Sequence, residues 1–365
     1  MRILLYVLHS TLKILYEGGE TMIIHTVSFR IELPFGINFA LRQKVMNSKT
    51  MFIPKFKNGK FIQYSATYKA VRFIFNPTKY RHHLIIECEV DNIIGESNVI
   101  EDDLNKFEEQ LSKIVQEFLA KNFPIIILKY PLFRIDYKYD IQLSNTQEMS
   151  IFYDIIRKAK DRCYNLNKIE QSPNGNTSLY YRPSGKLDEK GKNHFKRGKM
   201  NLNCYPRYFK THKEEDRYVI RLEVQVFSKT INSEYKKYRV TKELVNYWNE
   251  SSYNEYMKVY EDILYTQDFY RIDVALNKIK EVKKMRPTTK KRICRLLELI
   301  NEFGETKGRK QFSKEYSQSS FYRDMAKLKK LGINPITFGN MKGDSFQGTE
   351  YLKNFLKKRK DLSMG

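Results

Sequence analysis

FRIDYKYD, residues 133–140, is the stretch whose reading decides the fold. Successive side chains of a strand point to opposite faces, so it sets Arg134, Asp136, Lys138 and Asp140 on one side and Ile135, Tyr137 and Tyr139 on the other. Two later stretches repeat that arrangement. VIRLEVQV (219–226) groups Arg221, Glu223 and Gln225 opposite Leu222, Val224 and Val226. MNLNCYPRY (200–208) groups Asn201, Asn203, Tyr205 and Arg207 against Leu202, Cys204 and Pro206. Three strands, each with an apolar and a polar face, predict a sheet with a core on one side and chemistry, or ordinary solvated ion pairs, on the other.

Working outward, MIIHTVSFRIELP (22–34), AVRFIFNP (70–77) and HLIIECEV (83–90) are further strands. Between them and the deciding stretch lies a helix over 97–123, with Leu104, Phe107, Leu111, Ile114 and Phe118 at helical spacing and acidic residues at its start. Residues 124–143 predict a strand bent at Pro131, and MSIFYDIIRKAKDRC (149–163) a helix. A polar stretch leads into SLYYRPSG (178–185) and the basic loop DEKGKNHFKRGK (188–199). Strands and helices in this order give an α+β domain with an antiparallel sheet over residues 22–240, and no internal repeat is present.

From 241 to 365 the chain reads as a basic helical domain. ELVNYWNESSYNEYMKVYEDIL (243–264) predicts one helix. TTKKRICRLLELINEFG (288–304) predicts another, capped by Thr288, ended by Gly304 and striped by Ile293, Leu296, Leu297, Ile300 and Phe303. QSSFYRDMAKLKKLGINP (318–335) carries Phe321, Met325 and Leu328 on one face, after a Ser cap and before Gly332. The last two helices read as a helix-turn-helix, whose second helix enters the DNA major groove, with Arg323, Lys327, Lys329 and Lys330 meeting bases or phosphate. A merely solvated amphipathic helix is the competing reading.

Charge points to a polyanion. The 365 residues hold 66 Lys and Arg against 42 Asp and Glu, a formal charge of +24, and each phosphate such a protein neutralises releases a counterion. Cys88, Cys163, Cys204 and Cys294 have no paired metal spacing and suit a reducing, bacterial cytoplasm. No apolar run approaches the roughly 20 residues that span a bilayer, so no membrane partner is expected. Residues 1–21 read as a mis-annotated leader: Glu17-Gly18-Gly19-Glu20 is what a purine-rich ribosome-binding sequence ahead of Met22 would encode. A Walker phosphate loop, a dinucleotide fingerprint and a Ser-His-Asp arrangement are absent from the sequence.

The polar faces carry the candidate chemistry. Carboxylates from neighbouring strands, Asp136, Asp140 and Glu223, can hold Mg²⁺ or Mn²⁺. A tyrosine beside such an ion can attack phosphorus, and Arg134 and Arg221 can bind the phosphate or spread its growing charge. A salt-bridged solvent face would use the same residues and do nothing. His82 and His83 are adjacent, so they point to opposite faces and at most one could join a metal; Glu87 and Glu89 share a face of the same strand.

Six blocks in order resemble the phage and plasmid replication proteins of the filamentous-phage gene II/X type, distant relatives of plasmid rolling-circle initiators. They are MIIHTVSFRI (22–31), IECEVDNIIGESN (86–98), RIDYKYDI (134–141), SLYYR (178–182), NLNCYPRYFK (201–210) and VIRLEVQV (219–226), together spanning residues 22–230. The resemblance implies metal-dependent nicking of one strand at the origin, retention of the enzyme on the 5′ phosphate, and religation when the circle closes. It places Asp136 at an Arg-Ile-Asp aspartate, Glu223 at an Arg-x-Glu glutamate and Tyr205 at the tyrosine of a Tyr-x-Lys block, where Arg207 stands in place of lysine. That departure leaves Tyr180, Tyr181 and Tyr208 as alternative nucleophiles, while Arg182, Lys196, Arg197 and the four cations of the last helix are the expected DNA contacts.

The leading expectation is therefore an origin-specific, metal-dependent tyrosine nickase with a DNA-binding helical domain. Its partners would be origin DNA, duplex and single-stranded, with a host helicase and a second copy of the chain (through residues 240–285) as further candidates. A non-catalytic DNA-binding regulator of the same fold and a conjugative relaxase are the alternatives.

Overall fold

The computed structural model describes residues 24–33, 53–57, 60–75, 83–96, 99–119, 126–159, 164–171, 177–183, 200–264 and 267–339, with isolated residues between 36 and 43. The expected leader and the basic loop with Lys196 and Arg197 lie outside the described residues, as do Cys163 and His82.

In chain order the elements are strands β1 (Ile24–Glu32), β2 (Ile53–Lys57), β3 (Lys60–Tyr68), β4 (Val71–Phe75) and β5 (His83–Glu89), then helices α1 (Val90–Ile94) and α2 (Leu104–Leu119). Next come β6 (Leu132–Gln142), α3 (Thr146–Lys158), β7 (Tyr164–Gln171), β8 (Thr177–Pro183), β9 (Met200–Pro206), the single turn α4 (Tyr208–Thr211) and β10 (Val219–Phe227). The remainder is helical: α5 (Ser228–Tyr238), α6 (Glu250–Met257), α7 (Val259–Leu264), α8 (Ile272–Glu281), α9 (Pro287–Glu315) and α10 (Gln318–Lys330). The expected mixture of antiparallel sheet and helices is present. Four differences are local. Pro131 precedes β6 rather than bending it, because a 3₁₀ turn at Ile127–Lys129 comes first. Residues 243–264 form two short helices after a 3₁₀ turn, not one. Arg286 and a Pro at the first helical position start α9, in place of Thr288. Phe303 does not join the buried stripe of α9; it is 39% exposed.

The chain divides into two compact units, Met1–Lys138 with Val224–Tyr256 and Tyr139–Glu223 with Met257–Gly365, and β6 and β10 contribute to both. In the first unit the strands run β2-β3-β4-β5-β1-β6. β1 pairs antiparallel with β5 and β6, β3 with β2 and β4, and β4 with β5. The burial of β4 and β5 alternates strictly: Val71, Phe73, Phe75, Leu84, Ile86 and Cys88 face the core. Helix α2 covers that face, with Phe118 stacked on Phe73 at 3.7 Å between ring centroids. Trp248 packs against Phe107 at 5.2 Å and donates its indole N–H to the Ile100 carbonyl at 3.1 Å, so a buried polar tip is satisfied.

In the second unit the strand order is β10-β9-β8-β7, with β8 antiparallel to both neighbours. Its helical part packs around Ala275, Ile279, Ile293, Leu296, Leu297, Ile300, Phe312, Phe321 and Leu328. α9 is two helices in fact. Gly304 has φ +74° and ψ 165°, a conformation that only glycine adopts cheaply, and it breaks the rod. Arg295 then reaches back to the Glu315 carboxylate at 2.8 Å, whereas twenty residues of continuous helix would separate them by about 30 Å. The second half folds so tightly on the first that a Cβ on Gly308 would lie 2.8 Å from the Leu299 carbonyl oxygen. Among the described residues no helix is long and apolar enough to cross a membrane.

Candidate active site

Tyr205 is the penultimate residue of β9, on the polar side expected from the period of two, and its ring is 5% exposed. Its hydroxyl donates to Glu223 Oε2 at 2.8 Å. The other carboxylate oxygen, Oε1, accepts from Asn203 Nδ2, also at 2.8 Å. Glu223 is 2% exposed, so its charge is held by these donors rather than by water. Lys210, one helical turn beyond the strand in α4, donates its ammonium to the Tyr205 oxygen at 3.0 Å and lies 4.5 Å from the ring centroid. The backbone beneath is fixed by Tyr260, whose hydroxyl reaches the carbonyls of Asn203 at 2.8 Å and Glu223 at 3.1 Å. Burial raises the Tyr205 phenol well above its ordinary range, the negative Glu223 adds to the rise, and Arg221 opposes it. The resting group is therefore a neutral phenol that hands a hydrogen bond to a buried base.

Beside this pair, Asp140 is gripped by two arginines. Arg221 clamps it bidentately, Nε to Oδ1 and Nη2 to Oδ2, both at 2.7 Å. Arg207 adds a contact at 3.3 Å and turns its guanidinium to Asp216 at 3.2 Å as well. Arg207, which stands where the resemblance leads one to expect lysine, thus points at carboxylates. The lysine that meets the tyrosine oxygen is Lys210.

No family model matches the chain, and no curated protein matches it. Among solved structures, a rolling circle replication initiator protein from Geobacillus stearothermophilus is similar over 59% of this chain and 78% of that one, at 10% identity and a TM-score of 0.29.

The first unit carries a polar face of its own. Register aligns Arg72 with Glu87, Glu87 with Ser28, and Ser28 with Arg134, and in the next row Glu89 with Thr26 and Thr26 with Asp136. Arg134 forms a two-point ion pair with Asp136, whose Nε–Oδ1 arm is 2.8 Å, and meets Glu87 at 3.2 Å. Asp136 is 0% exposed and also accepts from Gln225 at 3.4 Å. Lys138, fully buried, pairs with Asp91 at the start of α1. His83 meets Arg30 at 3.2 Å, and Glu89 lies 4.0 Å from His25. On these polar faces Asp136, Lys138, Arg221 and Glu223 are buried, while Arg134, Asp140 and Arg207 are half-buried in ion pairs.

Each of the expected Mg²⁺ or Mn²⁺ ligands already has partners within its own unit. Mg²⁺ is held by one or two carboxylates and completes its about six oxygens with water and phosphate, so a carboxylate must turn from its present partner to bind it. Asp140 is held by two guanidinium groups, Asp136 by one with an amide, and Glu223 by a phenol and an amide. Among the described residues no group of three His, Cys, Asp or Glu side chains could hold a metal.

The other expected residues are dispersed. Tyr208 opens α4 and donates to Glu214 at 3.5 Å, with its ring edge-on to His212. Tyr180, Tyr181 and Arg182 belong to β8, and their side chains lie outside the described residues. Arg323, Lys329 and Lys330 are exposed on α10, and Lys327 is half-buried. Sequence reasoning named Asn203 as a face residue only and passed over Lys210 altogether. A signal existed for Lys210: it closes the same NLNCYPRYFK block, five positions after Tyr205.

Proposed function

We propose that this chain nicks one strand of DNA through Tyr205 and so initiates rolling-circle replication. The observation that carries the reading is the Tyr205 hydroxyl held between the Glu223 carboxylate at 2.8 Å and the Lys210 ammonium at 3.0 Å. A phenol becomes a nucleophile when a base takes its proton and a cation stabilises the oxygen, and both groups are within hydrogen-bond reach. In the reaction, Tyr205 Oη attacks phosphorus while Glu223 takes its proton. The bond from phosphorus to the 3′ oxygen breaks, the released 3′ end is protonated, and the 5′ phosphate stays on the tyrosine. Attack by a 3′ hydroxyl on that ester reverses the step and religates the strand. Lys210 is exposed on a single-turn helix, so its side chain can swing from the tyrosine oxygen to the incoming phosphate. Arg221 and Arg207, paired here with Asp140 and Asp216, are the guanidinium groups nearest the tyrosine's carboxylate partner and can turn to a phosphate. Single-stranded DNA is the substrate of the cut, and negative supercoiling lowers the cost of exposing it.

The burial of Tyr205 favours a second reading, a DNA-binding regulator in which the same residues only pack. One assay separates them. Supercoiled plasmid carrying the protein's own gene neighbourhood is incubated with wild type, Tyr205→Phe and Glu223→Gln, with Mn²⁺ and with chelator. Nicking with a covalent adduct that Tyr205→Phe abolishes supports the proposal, and the chelator arm decides the metal. Tight binding without nicking under any metal supports the regulator.

A further inference from the structure

We infer that the outward face of α10 is a reader of double-stranded DNA, with Gln318, Ser319, Tyr322 and Arg323 toward base edges and Lys329 and Lys330 toward phosphates. The inference takes from the proposed function only that DNA is the ligand, and needs none of the tyrosine chemistry. It starts from how firmly the helix is held. Phe321 and Leu328 are buried in the helical core of the second unit. Ser317 caps the first turn by accepting from the Ser320 N–H at 3.2 Å. Arg292 of α9 clamps Asp324 bidentately, at 2.6 and 2.9 Å. A helix fixed at three points loses little freedom on binding, so its contacts convert to affinity rather than to ordering.

That clamp also sets the charge of the face. Asp324 is the one acidic residue of α10, and it is turned inward, fully buried and neutralised by Arg292. What remains outside at helical spacing is Gln318, Ser319, Tyr322, Arg323, Ala326, Lys329 and Lys330. The N-terminal half offers hydrogen-bonding side chains, the middle offers a small alanine that allows close approach, and the C-terminal half offers two ammonium groups. Tyr322, 45% exposed, is held upright by Arg309, which donates to its hydroxyl at 2.8 Å and lies 5.1 Å from its ring centroid. The wider surface agrees, since Ile272–Lys330 contains seventeen lysines and arginines against seven acidic residues.

The connection supports the same use. Because α9 breaks at Gly304 and folds back on itself, the segment 305–315, a two-residue link at Tyr316 and Ser317, and α10 form a helix, a turn and a helix. A helix about 10–12 Å across fits the major groove, about 12 Å wide, and presents its N-terminal residues to base edges. A membrane surface suits the face poorly, because Tyr322 is its one large apolar group.

The test is fluorescence anisotropy with the full chain and a labelled short duplex from its own gene neighbourhood, titrated across a salt series. The paired variant Lys329→Ala/Lys330→Ala should weaken binding to every duplex alike and lower the slope of log K against log salt by about 2. Arg323→Ala should weaken the preferred duplex by about 5- to 150-fold and a scrambled duplex far less. Unchanged thermal unfolding in both variants shows that the fold survives. Both variants should still form the covalent adduct on a single-stranded oligonucleotide, and Tyr205→Phe should still bind the duplex, so failure of the tyrosine chemistry leaves this inference standing. Unaltered affinity and salt slope in folded variants would overturn it, as would equal loss on single-stranded and duplex probes. Binding lost only toward acidic protein would overturn it too.

Discussion

Glu223→Gln and Glu223→Ala should separate what this buried carboxylate does for chemistry from what it does for folding. Glutamine keeps the shape and one carbonyl acceptor but removes the charge. Its amide can still accept from Asn203, and its NH₂ can turn to the Tyr205 oxygen, so unfolding should move by less than about 1 kcal/mol, the size of one net hydrogen bond. Alanine takes an acceptor from both Asn203 and Tyr205, each bonded at 2.8 Å in a site that is 2% exposed. At about 1–3 kcal/mol for each buried donor deprived of its partner, the loss comes to roughly 2–6 kcal/mol. Nicking should fall in both, by about 10²–10⁴-fold, the usual contribution of a general base. Single-turnover formation of the protein–DNA adduct, read beside thermal unfolding of the same preparations, gives both numbers. Glu223→Gln that folds like wild type and nicks at the wild-type rate would refute the assignment of Glu223 as base.

Lys210→Met should slow adduct formation by about tenfold, the low end for a charge-assisted bond of about 1.5–3 kcal/mol because the lysine is exposed, with Lys210→Arg recovering part of it; an unchanged single-turnover rate would count against the role. Gly308→Ala gains about 1 kcal/mol of helix propensity but drives a Cβ to 2.8 Å from the Leu299 carbonyl oxygen, at an overpacking cost of about 1–3 kcal/mol, so thermal unfolding should move down and never up. Burial pushes the Cys88 and Cys204 thiols far up, the former helped by Glu87 and Glu89, and leaves almost no thiolate at pH 8. Iodoacetamide should therefore spare both in the folded protein and label them in urea, while the half-buried Cys294 reacts first of the three by peptide mass.

Much of the sheet was legible because its patterns are strong. FRIDYKYD, VIRLEVQV and MNLNCYPRY alternate cleanly, and each is a strand, the last only as far as Pro206, beyond which Arg207 caps α4 and Tyr208 opens it. Among the strands that the sequence pattern did not mark, which include β7, β2 and β3 flank Asn58-Gly59, a hairpin signal available in the sequence. α5 and α8 were missed because their apolar stripes are short and interrupted by lysines. The site was legible in part. A period of two places Tyr205 and Glu223 on polar faces, but it cannot say which neighbour each finds. It therefore missed that Asp140 and Asp136 would be taken up by Arg221 and Arg134, and that Lys210 would reach the tyrosine from the turn beyond. Such pairings depend on strand register and on where a short helix begins, and both are set by tertiary packing. The break at Gly304 was readable as a helix end. The fold-back that follows depends on Gly308 meeting Leu299, a contact no local pattern encodes.

The central claim is that Tyr205 joins DNA, and the most direct measurement is the mass of the joined peptide. Wild-type protein is trapped on a single-stranded oligonucleotide from its own gene neighbourhood, digested with trypsin and nuclease, and the peptide bearing a nucleotide phosphate is sequenced. The account predicts a phosphotyrosyl link at Tyr205, absent in Tyr205→Phe. A link at Tyr180, Tyr181 or Tyr208, or no link under conditions in which the same DNA is nicked, would contradict it.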